Sequence, residues 1–330
     1  MLEHTEPLTW HDGDMHSIID GPRFGLQEPA FRDYVARHCL ELRPGSRLAD
    51  IGCGSAGSTL ALLPYILPGG TLTAFDRDDD VLGIAAEKAA MLDGGEAVQF
   101  VSADALDLPA ADDSFDVTWC QTVLMHVPDP DRALEEMIRV TKPGGMVAAT
   151  EPDWTSATVT HYNTPMPRSA EEFAQWAHAY ALIMEGGRRR STGDWAIGSR
   201  VIMMLRERGL EKTRLRIMPA SWMVAPHSSG RPSDRALHMT LALFYPEPES
   251  QLYDQQQRNF RAAGGSDEEW KRFTALRVRE LERIMASHEA DHAILQVNCP
   301  AFLTTACVPV LDSLNPSRKG EASSVVAGTR

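Results

Sequence analysis

From about residue 30 to residue 151 the chain alternates short apolar, strand-like runs with segments whose apolar residues recur three or four apart. Few architectures satisfy that alternation, because strand, crossover helix and strand in succession build a parallel sheet with helices on its faces. The strand candidates are "RLADIG", "GTLTAFD", "AVQFVSAD", "FDVTWCQT" and "GMVAATE". A first helix is expected over "EPAFRDYVARHCLEL", stopped by Pro44 and Gly45, with crossover helices over "STLALLPYI", "DDVLGIAAEKAAML" and "DPDRALEEMIRVT". Acids open two of these crossovers (Asp78, Asp79, Asp80, and then Asp129, Asp131), where they suit the positive end of the helix dipole. "KPGG" at 142–145 separates the last helix from the fifth strand. The fold class is α/β, with a doubly wound sheet.

After residue 151 the pattern loosens. "SAEEFAQWAHAYALIM" reads as a helix opened by a capping box of Ser169 and Glu172, and "DWAIGSRVIMMLRERGL" as another helix. "TRLRIMPASWMVA" and "AILQVNCPAFLTTACV" each read as one strand, separated by a Pro, Gly, Ser and Gln-rich stretch holding the apolar segment "ALHMTLALFY". The helix over "SDEEWKRFTALRVRELERIMASHEA" has a second capping box, Ser266 with Glu269, and an apolar stripe of Trp270, Phe273, Val278, Leu281, Ile284 and Met285. The tail from about residue 312 is polar and expected to be disordered.

A formal charge of −14 disfavours binding to a phosphate backbone, which needs clustered Lys and Arg. The apolar runs fall short of the ~20 residues that span a bilayer. "MLEHTEPLTWHDGD" lacks the layout of a signal peptide. Five cysteines without a C-x-x-C pair point to a reducing cytoplasm rather than to a disulfide framework. His288 and His292 have the spacing of helical metal ligands but no third ligand nearby, so no metal site is expected.

Chemistry concentrates in "LADIGCGSAGST", where Gly52, Gly54 and Gly57 form a G-x-G-x-x-G pattern just after a strand. Three readings fit it: a nicotinamide site, a different nucleotide-like cofactor, or a tight turn. Asp50 stands two residues before the first glycine. Asp76 ends the second strand 22 residues after Gly54, near the ~20 expected of an acid that binds ribose hydroxyls. Asp104, beside Ala105, ends the third, where a carboxylate could accept from an adenine amino group. Each acid has an alternative reading as a helix cap or turn residue. In order at three successive strand ends, they point to a nucleoside cofactor.

Together, "LADIGCGSAG", "FDRD", "SADALDLP", "SFDVTWCQTVLMHVPDPDRALEEMIRVTKPGG" and "VAATEPDW" resemble the class I S-adenosylmethionine-dependent methyltransferases. The nearest resemblance is to the small-molecule group that contains quinone-ring C-methylating enzymes. It is close over about residues 45 to 154 and loose beyond. It implies a Rossmann-like, seven-stranded, mostly parallel sheet with a closing antiparallel strand and a mostly helical cap insertion. Residues 1–40 would form an N-terminal helical segment, 41–225 with 291–310 the cofactor-binding core, 226–290 the cap and 311–330 a disordered tail.

The resemblance also implies roles. Asp50, Gly52, Cys53, Gly54 and Gly57 would face the methionine part of S-adenosylmethionine, Asp76 the ribose, Arg77 the adenine, Asp104 and Ala105 the adenine edge, and Gln121 the methionine moiety and transferable methyl. The product would be S-adenosylhomocysteine, after in-line transfer to a small-molecule acceptor such as a secondary metabolite or another apolar, aromatic or carboxylate compound. His126 is the candidate base or acceptor contact, or else orders its loop. Glu151, Trp154, His161 and Tyr162 are candidate substrate contacts, the last two in a loop over the site. Arg188, with Arg189 and Arg190, is either a solvated charge run or an anion clamp. A monomer or homodimer without nucleic-acid or membrane partners is expected. A nicotinamide-dependent oxidoreductase and a non-catalytic cofactor-binding module are the competing readings.

Overall fold

The structure is a computed structural model that describes residues 25–154, 158–162, 169–218, 221–224, 245–248, 250–289, 294–298 and 301–310. The expected tail, most of "ALHMTLALFY" and His292 lie outside these residues. Ten strands are described: β1 (Arg47–Ile51), β2 (Thr71–Asp76), β3 (Val98–Ser102), β4 (Phe115–Gln121), β5 (Thr141–Pro152), β6 (Thr158–Tyr162), β7 (Glu211–Met218), β8 (Ser221–Val224), β9 (Ile294–Asn298) and β10 (Ala301–Cys307). Seven of them form one sheet in the order β3-β2-β1-β4-β5-β10-β7. Strands β1 to β5 are parallel. β10 is antiparallel to both β5 and β7. This is the doubly wound, Rossmann-like sheet with a closing antiparallel strand.

"KPGG" is not the separator that its composition suggests. It forms the start of β5, and the register between β4 and β5 shifts between Phe115 and Val117 to absorb it. The two runs read as single strands are each divided. β7 is followed by β8 and β9 by β10, and β6, β9 and β8 make a separate three-stranded antiparallel sheet. Its order repeats that of the strands it continues, β5, β10 and β7.

The seven-stranded ladder reaches the pairs Pro152–Ala301 and Ala301–Met218, and the second ladder begins at Thr158–Asn298 and Ser221–Asn298. His161 and Tyr162 lie on β6, not in a loop.

Helix α1 (Pro29–Tyr34) runs into a π turn (Val35–Cys39) and is followed by α2 (Gly57–Leu62), α3 (Asp79–Ala90), α4 (Pro130–Val140), α5 (Ala170–Arg189), α6 (Val201–Glu207), α7 (Gln251–Ala262) and α8 (Asp267–Glu289). Asp78 caps α3 by accepting from Asp80 and Val81 N–H, and both sequence-read capping boxes are formed. One sheet face is packed by Leu40, Leu48, Ile66, Leu72 and Trp119, the other by Ile51, Phe75, Leu134, Met137 and Val201. A third core belongs to the helices: Trp176 and Tyr180 of α5, Phe260 of α7, and Trp270 and Phe273 of α8.

The buried face of α8 departs from the apolar stripe. Trp270 and Phe273 are buried, but Val278 is 53% exposed, and the inward positions that follow are Leu276, Arg277 and Glu280. The helix turns two charged side chains toward its neighbours.

Where α5 meets α7 the backbones touch: a Cβ at Gly186 would lie 1.7 Å from the Asn259 carbonyl oxygen. Gly186→Ala sets two effects against each other. Alanine favours a helix interior by ~1 kcal/mol, whereas forcing apart a packed seam costs typically ~1–3 kcal/mol. Net destabilisation by about 1–2 kcal/mol is expected in denaturant unfolding. A variant as stable as the parent would show that the helices do not meet at this position.

Candidate active site

The carboxyl ends of β1, β2 and β4 meet at the glycine loop. Gly52 and Cys53 N–H both donate to the Phe75 carbonyl, at 2.7 and 2.9 Å, tying the loop to β2. Gly54 N–H donates to Asp76 Oδ2 at 2.8 Å, while Asp76 Oδ1 accepts from Asp78 N–H. Gly52 and Gly54 have φ of +71° and +54°, values that disfavour any residue with a Cβ. The third left-handed residue of the loop is Ala56 rather than Gly57, which opens α2. A Cβ on Gly52 would meet Val123 Cγ2 at 2.5 Å, whereas nothing lies within 4 Å of one on Gly54. The first glycine is needed for packing, and the second leaves its approach open.

Asp50 is buried and accepts from Thr59 Oγ1. Gln121 is buried at the end of β4, where its Oε1 accepts from Ser58 Oγ at 2.6 Å. Its Nε2 is buried without a hydrogen-bond partner. Burial, reinforced by the charges of Asp50 and Asp76, pushes the Cys53 thiol well up. It is no thiolate nucleophile. Ala103 N–H donates to the Asp76 carbonyl, bringing the end of β3 alongside. Asp104 there is exposed and accepts from Leu106 N–H, Ala105 is half-buried, and Arg77 is exposed.

These residues suit a sulfonium nucleoside. An orphaned buried amide donor, an open glycine approach and a partly used carboxylate at the end of β2 offer matched polar contacts to an amino-acid end and a ribose.

Glu151 lies differently from a substrate ligand. It is fully buried at the end of β5, and its carboxylate accepts from three consecutive backbone groups of the loop after β4: Val123 (2.8 Å), Leu124 (2.9 Å) and Met125 (3.3 Å). That loop is held from above by residues that no sequence motif marks. Asp194 N–H donates to the Met125 carbonyl, and Trp154 N–H to the Trp195 carbonyl. The Trp195 ring meets His126 edge-on at 6.3 Å and lies 5.8 Å from Trp154. His126, Trp154 and Trp195 thus form an aromatic wall at the ends of β4 and β5. Gly193 and Gly198, where a Cβ would meet the Met125 and Glu151 carbonyls at 2.5 and 2.3 Å, signal this close approach in the sequence.

Arg188 belongs elsewhere. It ends α5, exposed, and pairs with Glu185, which also takes Arg189 at 2.9 Å, while Arg190 donates to Asn259 at 2.7 Å. The side chains of His161 and Tyr162 lie outside the description. Among the described residues no cluster of metal-ligating side chains occurs, and no helix is long and apolar enough to cross a membrane.

Burial pushes the Glu151 carboxyl from its ordinary 4.5 up to about 7, against the loop N–H groups, which favour the carboxylate. Between those values the folded protein holds a proton that the unfolded chain has released. The contribution of Glu151 to stability is therefore full below pH 4.5 and declines as the pH rises to about 7. Glu151→Gln cannot ionise, so the wild type should lose stability relative to this variant across that window in unfolding titrations. A difference that stays flat with pH would show that Glu151 is ionised throughout.

A family model described as a methyltransferase domain matches residues 49–149. Among curated proteins, the demethylmenaquinone methyltransferase of Bacillus cytotoxicus is 29% identical over 217 residues, 64% of this chain and 86% of that protein. The demethylmenaquinone methyltransferase of Staphylococcus aureus is 32% identical over 183 residues, 54% of this chain and 73% of that protein. Among solved structures, Haemonchus contortus phosphoethanolamine N-methyltransferase 2 in complex with S-adenosyl-L-methionine aligns with a TM-score of 0.44 and 16% identity, over 86% of this chain and 53% of that one. The oxidoreductase reading finds no support in these matches. With its methyltransferase domain laid over the glycine loop and strand-end acids, the chain belongs to the S-adenosylmethionine-dependent methyltransferase family.

Proposed function

We propose that the protein methylates a small organic acceptor with an apolar or aromatic body, in the cytoplasm, and that neither nucleic acid nor membrane is its partner. The observation that carries this reading is the aromatic wall of His126, Trp154 and Trp195, built on the loop that follows Gln121. Relatives named demethylmenaquinone methyltransferase support a small-molecule acceptor.

S-adenosylmethionine brings a methyl group already activated on sulfur, so the cofactor carries the hard chemistry. The chain's share is alignment and dryness. Asp50, Gly52, Cys53, Gly54, Gly57 and Gln121 would hold the methionine end, Asp76 the ribose, and Arg77, Asp104 and Ala105 the adenine. Trp154 and Trp195 would stack against the acceptor, and His126 is placed to hydrogen-bond an acceptor hydroxyl or take its proton. Fixing the acceptor in line with the reacting carbon is worth up to ~7–11 kcal/mol. Glu151 serves this site as the anchor of the loop that carries His126.

S-adenosylhomocysteine should raise the unfolding temperature of the protein, and NAD should not. Asp76→Ala removes the acceptor of Gly54 N–H together with the proposed ribose ligand, so S-adenosylhomocysteine should bind it roughly thirtyfold more weakly in calorimetry, about 2 kcal/mol. Stabilisation by NAD alone would overturn the assignment. Unchanged affinity in Asp76→Ala would remove Asp76 from the site.

A further inference from the structure

The segment that joins β3 to β4 carries Asp104 and Ala105 but contains no helix and no strand of the sheet. Asp104 is exposed, so packing does not fix its side chain. What the segment lacks in regular structure it takes from α4. Leu108 N–H donates to Glu136 Oε2 at 2.9 Å. Three carbonyls at alternate residues accept from arginines of the same helix. Leu106 accepts from Arg132 Nε at 3.1 Å, Leu108 from Arg139 Nη2 at 3.0 Å, and Ala110 from Arg139 Nη1 at 2.8 Å.

Glu136 is the centre of this clamp. It is 1% exposed, and its carboxylate accepts from Arg132 Nη2 at 2.9 Å and from Arg139 Nε and Nη2 at 3.0 and 2.6 Å. The hydrogen bond from Arg139 holds the Glu136 carboxyl below its ordinary range, against the effect of burial. Removing one member of a buried ion pair leaves an uncompensated charge, so the two guanidinium groups are held where they are. Spacings of four and three residues place Arg132, Glu136 and Arg139 on one helix face, toward the segment.

Leu106 passes this constraint to Asp104. Its carbonyl is taken by Arg132, and its N–H donates to Asp104 Oδ1 at 2.9 Å. Asp107 N–H returns to the Asp104 carbonyl at 3.1 Å. The Asp104 carboxylate is therefore oriented through a residue whose other side is bound to α4. Leu108 also packs in the core with Leu134 and Met137, but apolar contact is non-directional and would hold the segment without aiming the carboxylate.

We infer that Arg132 and Glu136 are positioning residues for recognition of the adenine. They set where the Asp104 carboxylate stands, and with it the preference of the site for an amino group on the base. The inference rests on the methyltransferase reading and extends it to a helix outside the proposed cofactor contacts. A base with a carbonyl in place of the amino group would set acceptor against acceptor at Asp104.

The test uses the full chain and calorimetric titration of S-adenosylhomocysteine beside S-inosylhomocysteine, which carries hypoxanthine in place of adenine. The wild type should bind the first about tenfold or more tightly, the loss expected for one hydrogen bond to a charged group. Arg132→Met removes the bond to Leu106 at a half-exposed side chain. It should weaken S-adenosylhomocysteine about threefold or more and leave S-inosylhomocysteine unchanged, so that the preference falls by the same factor. Should that variant fail to fold, Glu136→Gln reads the same ratio. The inference is overturned if the wild type does not distinguish the two ligands. It is equally overturned if either folded variant keeps the full preference, including by losing both ligands alike, as general loosening would cause. Failure of S-adenosylhomocysteine to bind the wild type would instead strike the methyltransferase reading.

Discussion

Where β4 ends, the backbone N–H groups of Val123, Leu124 and Met125 turn inward, away from water, and each needs an acceptor. Glu151 supplies both oxygens to them from the end of the neighbouring strand. Held there, Val123 fills the space that a side chain on Gly52 would need, which fixes the first turn of the glycine loop. The loop in turn hands its Gly54 N–H to Asp76. On the other side, the Met125 carbonyl receives Asp194 and so sets the position of Trp195. Cofactor loop and aromatic wall therefore share one fixed point, a carboxyl group with no exposure of its own.

That dependence explains which parts of the molecule were legible in the sequence. The parallel order of β1 to β5 follows from the alternation of strand and helix patterns, because short crossovers leave little topological choice. Capping boxes at Ser169 and Ser266 were legible because both partners lie within four residues. Glu151 looked like a substrate contact because a strand-end acid reads the same whether it faces a ligand or the underside of a loop. Trp195 carries no local signal, because its significance comes from a contact with His126, distant in the chain. Ala56, between two motif glycines, takes a left-handed conformation that nothing in its identity announces.

The charged face of α8 is hidden from periodicity for a related reason. Periodicity counts apolar residues, so it passes over Arg277 and Glu280 and enrols Val278 in their place. Three consecutive arginines at the end of α5 are conspicuous in the sequence, although local acids and amides already engage them.

The small sheet has a consequence for how disturbance would spread. Each of its strands is next in the chain to a strand of the large one: β6 comes after β5, β8 after β7, and β9 before β10. The order β6-β9-β8 repeats β5-β10-β7, so β9 and β10 are each the middle strand of a trio and antiparallel to both neighbours. Displacing β9 would break both ladders of the small sheet at once, and displacing β10 would break two of the large one. The run from residue 294 to residue 307 therefore ties together more of the protein than any single edge strand does.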